Sequence, residues 1–312
     1  MHEAILKIQG KDLDPQETTA VNRTQQNSIS IVIPNKDRSA DLIRCLESIK
    51  KQNCRDYEII VVDDHSRTKD IYEHPLFREL PVRVIDNTGG CGAASAKNIG
   101  ANATRGTWIM FLDSDSELLD ENVIANVIGI MGRNSQIGAV GGEIELGERG
   151  EYLVPARTLS RRTGEVQRIF LDWRNLSLEV EYLSTCNLTT RKSLFAQLGG
   201  FEKCFQTYFE DADFCLRLRK LGNKILTDSR TLVIHHRSRQ ARRSSRLNFL
   251  SARNRILFVI FHGGTRDFFL LPLREGKKLA QAGAYYFWIL IGMLWSIARM
   301  PSLLRIKKRR DR

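Results

Sequence analysis

The chain has 312 residues, of which 42% are hydrophobic and 27% are charged, and this balance excludes a wholly disordered protein. This length exceeds that of a typical single domain, so we expect one large core and an additional segment. The formal net charge is +12, but Arg237–Arg255 and Arg299–Arg312 alone carry +7 and +6. The basic excess therefore belongs to the C-terminal quarter, and the rest of the chain is close to neutral.

Residues 1–27 are mostly polar without a sustained period, which predicts a loosely attached arm. From Ser28 onward, short β-branched runs alternate with longer helical stretches. The runs cover 28–34, 57–64, 82–86 and 108–115, and helical stretches between them cover 40–52 and 93–103. Strands without polar alternation, separated by helices, indicate an open and mostly parallel α/β sheet with helices on both faces.

The pattern is less regular over Gly141–Leu232, where one helix is predicted from about Asp211 to Leu221. We predict one domain over 28–237 and a basic helical extension over 238–312. The six cysteines form no CxxC pair, and the first residues lack the layout of a secretory signal. Free thiols are expected, and with them a cytoplasmic main domain.

Acidic residues collect where the predicted strands end, which is where open α/β sheets bind their ligands. They are Asp63, Asp64, Asp86, Asp113 and Asp115. Asp113 and Asp115 are two residues apart, so their side chains project to the same side and can face one ligand together. Carboxylate oxygens suit Mg²⁺ or Mn²⁺. Asp-Ser-Asp is also common turn chemistry, and this alternative stays open.

Two further groups could act with this pair. Glu210 and Asp211 begin the predicted helix, where they either complement the helix dipole or supply a general base. His235 and His236 follow the apolar segment TLVI, and neighbouring side chains on a strand point to opposite faces. At most one of them would easily complete a metal site, and either could be an ordinary packed or exposed histidine.

Several segments in order resemble inverting glycosyltransferases of family 2, which have the GT-A nucleotide-diphospho-sugar fold. The segments are SIVIPNKDRSADLIRCLESIKKQ, YEIIVVDDHSRT, NTGGCGAASAKNIGANATRGTWIMFLDSDSEL and CNLTTRKSLFAQLGGFEKCFQTYFEDADFCLRLRKLG, followed by VIHHRS and ARNRILF. The resemblance runs from about Ser28 to Phe258. It implies transfer of a sugar from a nucleotide-diphosphate donor to an acceptor hydroxyl, in bacterial envelope polysaccharide or glycolipid synthesis.

The resemblance also implies roles for single residues. Asp63 or Asp64 would contact the base of the donor, in a pocket that Pro34 and Asn35 line and to which Lys97 contributes. Asp113 and Asp115 would take the ribose and metal roles, with His235 a better candidate than His236 for the metal or diphosphate. Asp211 would be the base, with Glu210 beside it. His65 and Lys97 stand where the family usually has Gly and Arg, and GGCG does not satisfy GxGxxG.

The C-terminal quarter has two features. Ala284–Ala298 contains no charge and five aromatic residues, is short for a membrane crossing, and is followed by RIKKRR. This pattern favours a helix that lies partway into an anionic membrane surface, so 284–312 is predicted to hold the protein on the cytoplasmic face. The alternative is a helix packed on the main domain. Arg239, Arg242 or Arg243 would close over the donor diphosphate, or form a solvated charged face.

Two other classes of protein also match parts of the sequence. The sequence pI near 9.6 suggests nucleic-acid binding, but the basic residues lie beside an apolar aromatic segment and no nucleic-acid module is recognisable, so no nucleic-acid partner is expected. A catalytically idle scaffold that binds nucleotide sugars is the second alternative. The intact set of Asp113, Asp115 and Asp211 favours an enzyme whose acceptor is a glycan or a lipid-linked saccharide.

Overall fold

The computed structural model describes residues 29–90, 92–146, 151–237, 245–264, 266–271 and 284–310. The predicted arm over 1–27 lies outside these residues, as do Arg239, Arg242 and Arg243.

The chain alternates strands and helices through its first half. The strands are β1 Ile29–Asn35, β2 Tyr57–Asp63, β3 Val82–Asp86, β4 Trp108–Leu112, β5 Ser116–Leu118, β6 Ile137–Gly141, β7 Glu143–Leu146, β8 Tyr152–Leu159, β9 Val166–Asp172, β10 Ser177–Glu179, β11 Asn187–Arg191, β12 Lys224–Asp228 and β13 Val233–His235. The helices are α1 Ser39–Lys50, α2 Leu76–Glu79, α3 Ala93–Asn102, α4 Val123–Arg133, α5 Lys192–Gln197, α6 Glu210–Lys220, α7 Ser245–His262, α8 over 266–271, α9 Ala284–Ala298 and α10 Met300–Arg310.

Eight strands form the central sheet in the order β10-β12-β6-β11-β4-β1-β2-β3. Six of them run in one direction, and only β10 and β11 oppose their neighbours. Along β1, Ile29, Ile31 and Ile33 face the layer of α1 and α4, whereas Val32 faces the layer of α3, α6 and α7. Both faces of the strand are therefore buried, which explains its continuous apolar sequence and confirms the predicted open, mostly parallel α/β sheet.

A second sheet arises within the region of less regular pattern, in the order β5-β13-β7-β8-β9. β13 lies between β5 and β7, and its register places His235 opposite Ser116. Ser116 directly follows Asp115, so this pairing brings a histidine next to a carboxylate that lies 120 residues earlier in the chain. The second sheet thus builds one wall of the site.

The C-terminal helices pack on the main domain. In α7, residues from Leu250 to Phe261 are almost all buried and belong to the core beneath the central sheet. α9 crosses α7 closely at Gly292, where an added Cβ would lie 2.9 Å from Ile256 and 3.1 Å from the Cα of Arg253. α10 returns to α7, and Lys307 Nζ donates to the carbonyl oxygen of Ile260 at 2.8 Å. The described part of the predicted extension is therefore helical and continuous with the core.

A buried carboxylate joins this extension to α6. Asp213 is fully buried and pairs with Arg217 at 2.9 Å, with His262 at 2.7 Å, and with Arg310. Burial alone would raise the pKa of Asp213, but Arg217, His262 and Arg310 hold it well below its ordinary value. The carboxylate is thus ionised between two guanidinium groups, one from α6 and one from α10.

Asp213→Asn is expected to lower the free energy of unfolding by about 3–5 kcal/mol at pH 7, because it leaves two buried guanidinium groups without their carboxylate. The folded-state pKa is lowered, so the stabilisation is complete above the unfolded value of about 3.9 and is lost as the pH falls below it. Urea unfolding of wild type and variant at pH 7 and pH 3 measures both effects. Asp56→Asn, at an exposed position, is the control and should change neither; equal losses at the two pH values would contradict the assignment.

Candidate active site

Three predicted carboxylates meet at one cleft. Asp113 follows β4 and Asp115 precedes β5, and both line a cleft of about 610 Å³ together with Asp211 from the first turn of α6. Asp115 is buried, whereas the side chain of Asp113 is 31% exposed. The sheet thus gathers acids that lie about a hundred residues apart in the sequence.

His235 completes this group. Ligand atoms of Asp113, Asp115 and His235 all lie within 4.8 Å of one another, and His235 Nε2 is 3.4 Å from Asp115 Oδ1. His236 instead contacts Glu117 at 2.9 Å and is exposed. The alternation of side chains along β13 therefore turns His235 toward the acid pair, and His236 away from it.

Glu143, which the sequence did not indicate, orients His235. Its Oε2 lies 2.5 Å from His235 Nδ1 and accepts from Cys186 Sγ at 3.2 Å. Burial alone would raise the pKa of Glu143, but Arg157, His235 and Arg237 hold it well below its ordinary value. An ionised Glu143 accepts a hydrogen bond from Nδ1–H of the imidazole, and this contact fixes the ring so that Nε2 faces Asp115.

Arg38 was also missed: it lies directly before α1 in the segment SIVIPNKDRSADLIRCLESIKKQ, but the resemblance gave it no role. Its Nη1 lies 2.6 Å from Asp115 Oδ2, and the residue lines both this cleft and its neighbour. Asp115 therefore has a guanidinium on one oxygen and an imidazole near the other.

Lys97 lies beneath the acids. It is 2% exposed, and its Nζ is 3.4 Å from Asp113 and 3.5 Å from Glu210, and donates to the hydroxyl of Thr185. Burial alone would lower the pKa of Lys97, but Asp113 and Glu210 raise it, so the ammonium is charged. Lys97 lines neither cleft, and it contacts the site through Asp113.

Glu210 and Asp211 face different surroundings. Glu210 is buried beside Lys97, and burial raises its pKa to about 7. Asp211 lines the cleft, accepts from the backbone N–H of Ala212 at 2.7 Å, and has its pKa raised, chiefly by burial. Of the two acids, Asp211 is the one that can reach a ligand in the cleft.

A second cleft of about 500 Å³ adjoins the first. Its lining includes four of the residues predicted for the donor: Pro34, Asn35, Asp64 and Asp113. Asp113, Arg38, Thr207 and Leu247 line both clefts, so the two spaces meet at Asp113.

The two adjacent aspartates at the end of β2 differ. Asp63 does not line the cleft, since it accepts from Tyr72 Oη at 2.6 Å and from the Ser66 N–H at 3.2 Å. Asp64 lines the cleft and accepts from the N–H of Gly92 at 3.0 Å. Gly92 has φ 114°, and a Cβ there would lie 2.8 Å from the carbonyl oxygen of Gln206, so glycine is required. Asp64 is thus the member of the pair that a ligand in this cleft can reach.

Comparison with known proteins identifies the family of this chain. A family model described as glycosyl transferase family 2 matches residues 30–199. The chain belongs to this family. It is 27% identical over 192 residues to an uncharacterized glycosyltransferase of Haemophilus influenzae, an alignment that covers 61% of each protein. It is 20% identical over 218 residues to the amylovoran biosynthesis glycosyltransferase AmsB of Erwinia amylovora, with 67% of this chain and 69% of that protein covered.

Solved glycosyltransferase structures share the fold. GalNAc-T7 with UDP, GalNAc and Mn²⁺ superposes with a TM-score of 0.63 and 18% identity, over 83% of this chain and 52% of that one. The mannosyltransferase PcManGT of Pyrobaculum calidifontis, in complex with GDP-Man and Mn²⁺, gives a TM-score of 0.58 and 15% identity, over 96% of this chain and 80% of that one. The chain therefore spans only about half the length of GalNAc-T7 and less than two thirds of the Haemophilus relative. The GT-A fold predicted from the sequence is confirmed.

Proposed function

We propose that this glycosyltransferase is metal-dependent and inverting, and that it moves a sugar from a nucleotide-diphosphate donor to an acceptor hydroxyl. The observation that carries the proposal is the convergence of Asp113, Asp115 and His235 within 4.8 Å, where two clefts meet. The smaller cleft, with Pro34 and Asp64, would take the nucleotide, and the larger one would take the sugar and the acceptor. The relatives of this chain include an amylovoran biosynthesis glycosyltransferase, and this favours a glycan or lipid-linked saccharide as the acceptor.

The ligand atoms of Asp113, Asp115 and His235 fit a divalent cation. Two carboxylates and one imidazole suit Mg²⁺ or Mn²⁺, with positions left for diphosphate oxygens. When bound, the cation would neutralise charge on the leaving diphosphate. Glu143 would hold His235 in the tautomer that leaves Nε2 free to bind it, and two of the superposed enzymes were solved with Mn²⁺.

Asp211 would be the general base. Inversion requires an acceptor hydroxyl to lose its proton while it attacks the anomeric carbon from the side opposite the diphosphate. Asp211 lines the larger cleft, whereas Glu210 lies behind it beside Lys97. The raised pKa of Asp211 makes its carboxylate a stronger base than an exposed aspartate.

Asp211→Asn is expected to lower kcat by about 10²–10⁴-fold, the usual contribution of a general base, with donor affinity nearly unchanged. Wild-type kcat should rise with pH through the raised pKa of Asp211, since only the ionised form accepts a proton. Transfer from a panel of nucleotide sugars measures both effects, with Asp56→Asn as the control. If wild type binds a donor but transfers nothing under any condition, the chain is a scaffold.

Asp115→Ala removes a proposed metal ligand, whereas Glu143→Gln changes the residue that orients the proposed ligand His235. Asp115→Ala should abolish the increase in UDP or GDP affinity that Mn²⁺ produces, because it removes a ligand. Glu143→Gln should weaken Mn²⁺ binding by about 10–100-fold, as is typical when the partner of a metal-bound histidine is changed. Calorimetric titration with Mn²⁺ and nucleoside diphosphate is the measurement. Unchanged titrations for Asp115→Ala would rule out the metal site.

Membrane attachment through α9 and α10 is the second part of the proposal. Phe287, Leu290, Leu294 and Ile297 recur at three- and four-residue spacing and are 41–67% exposed, whereas Ile289 and Ser296 face α7. Lys and Arg follow in the last turn of α10. Among the described residues no single helix is long and apolar enough to span a bilayer, although α9 and α10 together pass by length and composition with a 79° bend. A helix seated in an anionic surface on the cytoplasmic side fits these features.

Replacing both Leu290 and Leu294 by Glu should abolish binding to vesicles that contain anionic phospholipid, because two carboxylates would enter the apolar face. Cosedimentation of wild type and variant is the measurement. Val84→Glu, which changes an exposed apolar residue on the edge strand β3, should leave binding intact. Wild-type levels of binding by the double variant would show that another surface holds the protein.

A further inference from the structure

The loop that leads into α6 has a strained backbone. Three of its non-glycine residues have positive φ: Gln206 at 64°, Tyr208 at 66° and Phe209 at 71°. Gln206 combines φ 64° with ψ −64°, and the N–H of Thr207 donates to the carbonyl oxygen of Phe205 at 2.7 Å. These values define the rare γ-turn, which persists only where surrounding contacts hold it.

This loop is part of the active site. Gln206 and Thr207 line the smaller cleft, and Thr207, Tyr208 and Phe209 line the larger one. Glu210 and Asp211 follow directly, so the course of the loop sets where the proposed base points. The loop also touches the donor side, because the N–H of Ala94 donates to the carbonyl oxygen of Gln206 at 2.9 Å.

One buried side chain of α7 holds the turn. Asn254 is 0% exposed, and its Nδ2 donates to the carbonyl oxygens of Phe205 at 2.7 Å, Thr207 at 2.6 Å and Tyr208 at 2.9 Å. Its Oδ1 accepts from Arg253 Nε at 3.0 Å and Nη2 at 2.7 Å, which fixes the orientation of the amide. The same guanidinium donates to the carbonyl oxygen of Cys204 at 2.8 Å.

We propose that Asn254 is a positioning residue for sugar transfer: it clamps the γ-turn at Gln206 and thereby sets the acceptor wall and the placement of Asp211. The inference rests on the proposed function, and it adds a residue outside both clefts that acts through backbone carbonyls. Only an amide fits here. Its NH₂ group faces three carbonyl oxygens while its oxygen faces a guanidinium. An ionised carboxylate offers no donor and a hydroxyl offers only one, so neither can replace the amide.

The test compares Asn254→Ala and Asn254→Asp with Asn248→Ala, a control at an exposed asparagine on the same helix. Both Asn254 variants should lose kcat by about 100-fold, the usual effect of a misplacement near 1 Å, and should show a raised acceptor KM. Their affinity for nucleoside diphosphate with Mn²⁺ should stay near wild type, because most of the donor cleft does not depend on the loop. A purely structural role would instead reduce the amount of folded protein and leave kcat per folded molecule unchanged.

Hydrogen exchange of the amides over 205–211 gives a readout that needs no turnover. It should accelerate in both Asn254 variants and not in Asn248→Ala. If wild type transfers no sugar, the proposed function fails, while the exchange rates still decide whether Asn254 holds the loop. Wild-type exchange and kcat in a folded Asn254→Ala protein would overturn the inference, as would an equal loss of donor affinity. If Asn254→Ala does not fold, Asn254→Asp, which keeps the side-chain volume, decides the comparison.

Discussion

Carboxylates that converge at one edge of the sheet repel one another, and the site exists because buried cations lie between them. Lys97 is the central one, since its ammonium contacts Asp113 on the cleft side and Glu210 on the core side. Removing an ionised group from water costs several kcal/mol unless a partner compensates for it. Glu210 is buried and its Oε2 has no hydrogen-bond partner among the described residues, so the ammonium of Lys97 stabilises the ionised form of this acid against its burial.

The same constraint explains the wall that carries His235. Glu143 is buried at the start of β7, and Arg157 from β8 and Arg237 after β13 surround it. These two guanidinium groups keep Glu143 ionised. The carboxylate of Glu143 therefore accepts a hydrogen bond from His235 and orients its imidazole toward Asp115. Glu143 borders the larger cleft beside Asp113, Asp115 and Asp211, but its contacts hold His235 in place, whereas Glu210 lies behind the cleft beside Lys97.

The features that the sequence predicted follow from local periodicity. Apolar strands spaced by helices predicted the open sheet, and the two-residue spacing of Asp113 and Asp115 predicted that both acids face one cleft. Both acids do line one cleft, but they lie in the turn between β4 and β5, because β4 ends at Leu112 and not at Asp115 as the predicted run over 108–115 had it. The alternation of side chains at His235 and His236 predicted that only one could face the site. Each of these inferences uses only residues that lie close together in the sequence, so a short-range pattern is enough to make it.

The features that could not be predicted depend on register between distant segments. Glu143 meets His235 because β7 and β13 pair, and Arg38 meets Asp115 across 77 positions. No short-range pattern marks such partners.

Net charge also did not show where each charged residue lies. The basic excess of the C-terminal quarter suggested a basic surface, yet Arg253 is 4% exposed and Arg310 lies against Asp213. The sum of charges does not show which of them the core contains.

Arg253 also connects the C-terminal helices to the site. Its guanidinium stacks 5.1 Å from the ring of Trp295 on α9, and it donates to the carbonyl oxygens of Cys204 and Phe205 at the start of the strained loop. α9 carries the exposed apolar residues, and the loop leads to Asp211. A displacement of α9 relative to α7 would therefore break either the stacking on Trp295 or the bonds to the loop. The side chain of Arg253 and the short turn at Gln206 are therefore all that lie between the proposed membrane face on α9 and the proposed general base Asp211.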